Sequence, residues 1–285
     1  FKHAPLDHSK AAIRLVQLLP DLSPEGLIQC TITHHTTDAE YTCLSYRWGA
    51  AASISAIRMN GEGFYVRQNL LAFLHMARQN PNALCTYWID ALCIDQTDAA
   101  EKVHQVAQMG DIYSKAIQVY VWLGANPDLA PVLENLRKLR LPPFDGRRLD
   151  VVLRNRNALE SYFCGNEYWE RAWIIQEILL ARAVVVWADK VPLRFEDLHW
   201  NFGFLLFSWK DKSIAHFFLR KGSSETPELH ASKFSEFKAH FQGIDLISLL
   251  QQFPDKICEV PRDRIFSLLA MSKFGYRIDV DYSVP

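Results

Sequence analysis

Apolar positions along the chain recur with two different periods, and the switches between them mark out its elements. Two β-prone runs open the pattern, Ile13 to Leu19 and Leu27 to Thr33, and the turn cluster Pro20 to Gly26 between them predicts a strand pair. Tyr41 to Tyr46 (YTCLSY) is apolar on both faces, which predicts a central strand covered on both sides. Asn60-Gly61 between the short apolar flanks of Ile57 to Val66 predicts a β-hairpin, and Asn69 to Arg78 reads as a helix. Thr86 to Ile89 is a further buried strand. Asp98-Ala-Ala-Glu101 has the form of an N-cap, and Val103, Val106, Ala107, Gly110, Tyr113 and Ile117 follow at helical spacing, predicting one helix with an apolar face. Ile117 to Leu123 reads as a strand and Asn126 to Asn166 as a helical insertion broken at Leu141-Pro-Pro-Phe-Asp-Gly146. Trp169 to Arg182 then reads as a helix and Ala183 to Ala188 as a strand.

Strands alternating with helices of this length imply right-handed crossovers and a mostly parallel sheet flanked by helices, so the fold class is α/β with a β-hairpin insertion. From Pro192 onward the pattern turns helical, over Phe195 to Phe207, Ile244 to Phe253 and Asp263 to Ser272, with a polar stretch around Gly222 to Thr226. The organisation expected is an α/β domain over 1–191 and a helical C-terminal subdomain over 192–285 packed on it.

At 285 residues and 49% apolar the chain can bury a sizeable core, and a net charge of -1 without a basic stripe argues against nucleic acid or an anionic membrane surface as partner. The longest apolar run, Trp173 to Ala188, is interrupted by Gln176, Glu177 and Arg182, so no membrane segment is expected. The six cysteines form no CxxC pair and have no histidine at zinc-ligand spacing; they read as free thiols in a reducing, cytoplasmic setting. Opening on Phe1 and stopping at Pro285, the chain reads as a piece of a longer protein.

Ligands of an open α/β sheet bind outside the carboxyl ends of its strands. Three loops there carry unusual residues: Arg47-Trp48-Gly49, Asp90 to Gln96, and Gly124-Ala-Asn126. On the helix expected from Trp169, residues Trp169, Trp173 and Glu177 fall at i, i+4 and i+8, setting a carboxylate on an aromatic stripe. Burying that charge requires a partner, for which Arg47, Arg171 and Arg182 are candidates, or a wet pocket in which it functions. Asp90 and Asp95 could ligate a divalent cation or cap backbone amides. Trp48, Trp88 and Trp122 read first as packing aromatics. Ser45 with His104 lacks a GxSxG elbow, and neither GxGxxG nor GxxxxGK[ST] occurs, so phosphates are not held in those ways.

Tyr-Thr-Cys-Leu-Ser-Tyr-Arg-Trp-Gly (41 to 49), Val66 to Leu70, Trp-Ile-Asp-Ala-Leu-Cys-Ile-Asp-Gln (88 to 96), Glu101 with Gln105 and Met109, Ile112-Tyr113, Val119 to Gly124 and Arg-Ala-Trp-Ile-Ile-Gln-Glu (171 to 177) stand in one order. Together they resemble the motifs of the fungal heterokaryon-incompatibility (HET) domain, with a motif core over 41–188. Pro261 to Phe266 and Asp281-Tyr282 resemble segments that commonly follow it. Asp95 stands where the family usually has Asn, so a role needing a neutral amide is not carried over to it.

The resemblance implies a cell-death effector in fungal non-self recognition. More distantly the chain is similar to TIR domains, which share a flavodoxin-like parallel sheet: Leu44-Ser45-Tyr46 looks like their first strand, and Trp173 with Glu177 like the Trp and Glu of their WCxxE helix. In NAD-cleaving TIR domains that Glu is catalytic. By that likeness Glu177 is the expected catalytic residue, with Tyr46, Arg47, Trp48, Asp90, Asp95 and Trp173 as substrate-binding residues, NAD as substrate, and no bound cofactor or metal. Two alternatives stand beside it: a non-enzymatic module acting by self-association or partner signalling proteins, and metal-dependent hydrolysis by Asp90, Asp95 and Glu177. Arg47, Asp90 and Glu177 are expected to meet in one pocket on the carboxyl edge of the parallel sheet, and whether that pocket cleaves NAD or holds the fold together depends chiefly on Glu177.

Overall fold

A computed structural model describes residues 1–83, 85–138, 154, 156–197, 235 and 238–282. Among the described residues nine strands form one sheet: β1 (Ala12–Leu18), β2 (Gln29–Thr36), β3 (Thr42–Tyr46), β4 (Ile54–Met59), β5 (Glu62–Arg67), β6 (Thr86–Trp88), β7 (Gln118–Trp122), β8 (Val184–Ala188) and β9 (Val191–Arg194). Their order is β5-β4-β2-β1-β6-β3-β7-β8-β9. The middle four, β6, β3, β7 and β8, are mutually parallel. The flanks add antiparallel pairs, β1 with β2 and β6, β4 with β5, and β9 with β8, and one further parallel pair, β2 with β4, so the sheet as a whole is mixed.

All five residues of β3 are buried, as the two-faced apolar run requires. The β4 to β5 turn has Asn60 at φ 49° and Gly61 at φ 83°, the left-handed pair that a two-residue turn needs to match strand twist. Behind β5, helix α1 (Gln68–Gln79) buries Leu70, Phe73, Leu74 and Ala77 on one stripe against the sheet. The short α2 (Asp90–Cys93) follows β6 directly.

The single helix expected after Asp98 is two, α3 (Ala99–Ala107) and α4 (Met109–Lys115), parted at Gln108, whose φ −102° and ψ 5° leave helical geometry. Asp98 does cap α3, its Oδ1 accepting from the N–H of Ala100 at 2.9 Å and Glu101 at 3.1 Å. The face α3 buries is not the apolar one: Glu101 and Gln105 are inside, while Val103 and Val106 are half-buried and Ala107 is exposed. The reason lies on β1, where Arg14 is 2% exposed and donates two hydrogen bonds to Glu101, at 2.5 and 2.7 Å. Gln105 Nε2 donates to the Ala12 carbonyl at 2.8 Å. A buried cation in an apolar strand overrides helical hydrophobic spacing, because its counter-ion must be buried with it.

Of the expected insertion, α5 (Ala130–Lys138) and two short helical turns, Arg156–Ala158 and Leu159–Cys164, are described. The break at 141–146 lies outside the described residues, as do the polar stretch at 222–226 and most of the helix expected over 195–207. After Pro192 the chain first completes β9 before turning helical, in α7 (Leu246–Gln252) and α8 (Asp263–Leu269).

The continuous helix expected over 169–182 does not form. A 3-10 turn, Glu167–Glu170, ends at Arg171, which is extended at φ −65° and ψ 138°, and α6 (Ile174–Leu179) begins beyond it. The interruption is tertiary: Ala172 N–H donates to the Ile257 carbonyl at 2.9 Å and Ile257 N–H to the Glu170 carbonyl at 2.7 Å, a strand-like bridge made by downstream chain. Trp169 therefore does not share a helical face with Trp173 and Glu177. It is buried, its indole N–H donating to the Phe163 carbonyl at 2.6 Å. All six cysteines are free thiols, and among the described residues no helix is long and apolar enough to cross a membrane.

Candidate functional site

The parallel strands β6, β3 and β7 end on one edge of the sheet, and a cleft of about 490 Å³ opens there. Arg47, Trp48, Asp90, Trp173 and Glu177 all line it, so the meeting of Arg47, Asp90 and Glu177 expected from the motifs is realised. Each sits where a strand has just ended or a helix begins, the positions from which side chains of an α/β sheet reach a ligand. Gly49 ends the first loop at φ 77°, a left-handed conformation that lets the chain turn back onto α1. Asn69 at the start of α1 ties this edge together, its Nδ2 donating to the Arg47 carbonyl while its Oδ1 accepts from the Trp122 indole at 3.0 Å.

Glu177 lies at the base of the cleft with its side chain only 2% exposed. The Ser45 hydroxyl donates a short hydrogen bond to Glu177 Oε2. Because that uses Ser45's single proton, the 2.6 Å contact between Ser45 Oγ and Tyr168 has the phenol as donor, giving a relay from Tyr168 through Ser45 to Glu177. Arg171 adds two longer bonds, at 3.3 and 3.4 Å, to the two oxygens of the same carboxylate. Burial works against the Arg171 charge, yet the nearby Glu177 and Asp90 carboxylates outweigh it and keep the guanidinium protonated above its ordinary range. Of the three arginines proposed as partners, Arg171 is the one used: Arg47 pairs with Glu167 at the surface, and Arg182 donates to the Ser114 carbonyl at 3.0 Å.

Asp90 stands across from this pair at the first position of α2. Its Oδ2 accepts from the Trp48 indole at 2.7 Å and its Oδ1 from Ala91 N–H at 2.7 Å. Burial pushes its pKa from 3.8 up to about 6, against the pull of Arg171 and the Trp48 bond. Arg67 lies 5.0 Å from the centre of the Trp48 ring and donates to the Gly49 carbonyl at 2.8 Å. One wall is thus a stack of cation, indole and carboxylate.

Two expected residues do not line the cleft. Tyr46 is buried at the end of β3, and that burial, with Asp90 nearby, drives its phenol well above the ordinary range. Asp95 is turned along its own loop, Oδ1 accepting from Thr97 N–H at 3.0 Å and Thr97 Oγ1 at 2.7 Å. Glu101 holds its backbone by accepting from Asp95 N–H at 2.6 Å. The carboxylate trio required for metal-dependent hydrolysis is therefore not assembled, and among the described residues no group of three or more His, Cys, Asp or Glu could hold a metal ion. Ser45 bonds to Tyr168 and Glu177, whereas the His104 imidazole contacts the Lys10 carbonyl.

The opposite wall comes from chain that the sequence reading gave no site role: Ile257 to Val260, Asp263 and Tyr282, with Lys102 from α3 beside them. Asp263 accepts from the Trp173 indole at 3.1 Å and from the Tyr282 hydroxyl at 2.6 Å. The signal for these two was present, since both fall in the downstream motifs, but nothing in their spacing tells that they fold back over β3.

Residues 41–177 match the model of the family described as Heterokaryon incompatibility protein (HET). Over that segment the chain is similar to the HET family. It is similar to Heterokaryon incompatibility protein 6, OR allele, of Neurospora crassa, at 37% identity over 133 residues, covering 41% of this chain and 19% of that relative. The chain thus spans about a fifth of the length of the curated relative it matches. No solved structure matches it.

Proposed function

We propose that the domain serves as a cell-death effector of fungal heterokaryon incompatibility, acting in the cytoplasm, and that its cleft cleaves NAD at the bond between nicotinamide and ribose. The family match supports the first part and the Glu177 site the second. The middle strand order, β6-β3-β7-β8, has the first strand of the parallel unit second in line, the arrangement of flavodoxin-like sheets, which supports the TIR likeness. A pocket of this volume is in the range that small ligands occupy.

The observation that carries the reading is a buried carboxylate with its orientation fixed by Ser45 and Arg171, opening on a cleft with Trp48 and Trp173 in its walls. Nicotinamide in NAD is a cation that leaves neutral, taking the electron pair of the C–N bond, so the leaving group needs no general acid. Positive charge develops on the ribose, and a fixed carboxylate stabilises it while water adds to the anomeric carbon. The products are nicotinamide, ADP-ribose and one proton.

One observation favours a second reading, a non-enzymatic module that signals through self-association or partner proteins: the same bonds from Ser45 and Arg171 satisfy Glu177 as a structural ion pair. Expression in cells separates the two. The enzyme reading predicts a fall in cellular NAD and growth arrest with wild type and neither with Glu177→Gln; equal toxicity of both proteins without NAD loss would leave only the signalling reading.

A further inference from the structure

Asp263, which lines the cleft, holds two aromatic side chains at once. Trp173 and Tyr282 come from chain positions more than a hundred residues apart, and each directs its only polar hydrogen to one Asp263 oxygen, at 3.1 and 2.6 Å. Both rings are half-buried and line the cleft. The Lys102 ammonium lies 4.9 Å from the centre of the Tyr282 ring. Among the described residues no carboxylate pairs with Lys102, so its charge is held over an aromatic face and is available to an incoming anion. Tyr282 is anchored from behind as well, since Arg262 donates to the Asp281 carbonyl at 2.9 Å. Two rings with fixed rotamers and an uncommitted cation beside them are what a flat heterocycle bearing a phosphate requires: stacking surface without an ordering cost, and charge-assisted hydrogen bonds to the anion.

We propose that Lys102, Trp173, Asp263 and Tyr282 form a nucleotide-recognition wall, with Asp263 and Tyr282 supplied from outside the family-matched segment 41–177, and that it takes the adenosine-phosphate half of the dinucleotide. This rests on the NAD reading for its choice of ligand. Glu177 and the Trp48 wall then act on the nicotinamide half, so one end of the cleft recognises and the other reacts. Asp263 is a positioning residue, acting through the two rings rather than on the ligand. The bridge between Ile257 and Glu170 to Ala172 ties the recognising wall to the backbone of Arg171, the residue that orients Glu177.

The test is calorimetric titration of the whole chain with ADP-ribose, which retains the adenosine-phosphate half and carries no nicotinamide to lose. Lys102→Gln and Tyr282→Ala are each expected to weaken ADP-ribose binding about tenfold or more. Tyr282→Phe keeps the ring but not its bond to Asp263 and should fall between Tyr282→Ala and wild type. Lys102→Gln removes no hydrogen bond among the described residues, so it reads recognition even if Tyr282→Ala disturbs folding. Lack of ADP-ribose binding by wild type at millimolar concentration, or affinities within twofold of wild type in both Lys102→Gln and Tyr282→Ala, would overturn the wall. Nicotinamide release is measured in parallel. ADP-ribose binding that depends on the wall, without NAD turnover, sinks the enzyme reading and keeps the wall; turnover with an unchanged KM in both variants does the reverse.

Discussion

At the residue scale the site is governed by one guanidinium between two carboxylates. Arg171 is the counter-charge for Glu177 by direct contact and for Asp90 through the field across the cleft. Removing one partner of a buried pair leaves the other charge desolvated and alone, a larger penalty than the pair's net worth. Arg171→Met should accordingly destabilise the fold by about 3 kcal/mol, read from urea unfolding; a loss below about 1 kcal/mol would mean that solvent already compensates Glu177. Asp90 gives a pH signature of known sign. Its folded-state pKa, about 6, lies above the ordinary 3.8, so between those values the folded protein binds its proton more tightly than the unfolded chain. That contribution is full below about pH 4 and is lost as pH rises through about 6. Urea midpoints across this range should fall more steeply with pH for wild type than for Asp90→Asn, and parallel curves would refute the assignment.

At the element scale, strands were legible and helix continuity was not. β3, β6, β7 and β8 could be read from short apolar runs, because a buried strand has no solvent face to hide its pattern. The Asn60-Gly61 turn was legible for its own reason, the left-handed pair it requires. The helix expected through Trp169 does not form although its local pattern is satisfactory: only Ile257, more than eighty residues on, explains why Arg171 is extended. In α3 the apolar spacing was real but outranked by Arg14, whose need for Glu101 turned the polar side inward. That pair also fixes the loop after α2, since Arg14 donates to the Cys93 carbonyl at 2.9 Å and Glu101 accepts from Asp95 N–H. Glu101→Gln should cost about 3–5 kcal/mol by thermal or chemical unfolding, and a neutral substitution would show the guanidinium to be satisfied by carbonyls alone.

At the scale of the whole molecule the site is a composite. Its base and one wall belong to the family-matched segment, and five of the seven residues named from sequence line it. Tyr46 and Asp95 fell away for opposite reasons: Tyr46 is buried in the strand that delivers Arg47 and Trp48, and Asp95 is spent on its own turn. The second wall, built on Asp263 and Tyr282, was out of reach of sequence reasoning because it depends on the downstream chain folding over the carboxyl edge of β3. The carboxylate at the base is common to both proposed accounts of the domain, as catalyst or as half of an ion pair. The decisive measurement is nicotinamide release from NAD by the purified chain, alone and under crowding, for wild type and Glu177→Gln. Turnover by wild type that falls about a hundredfold or more in Glu177→Gln, with an unchanged melting temperature, is the predicted result; absence of turnover by wild type in both conditions, or full turnover by Glu177→Gln, would contradict it.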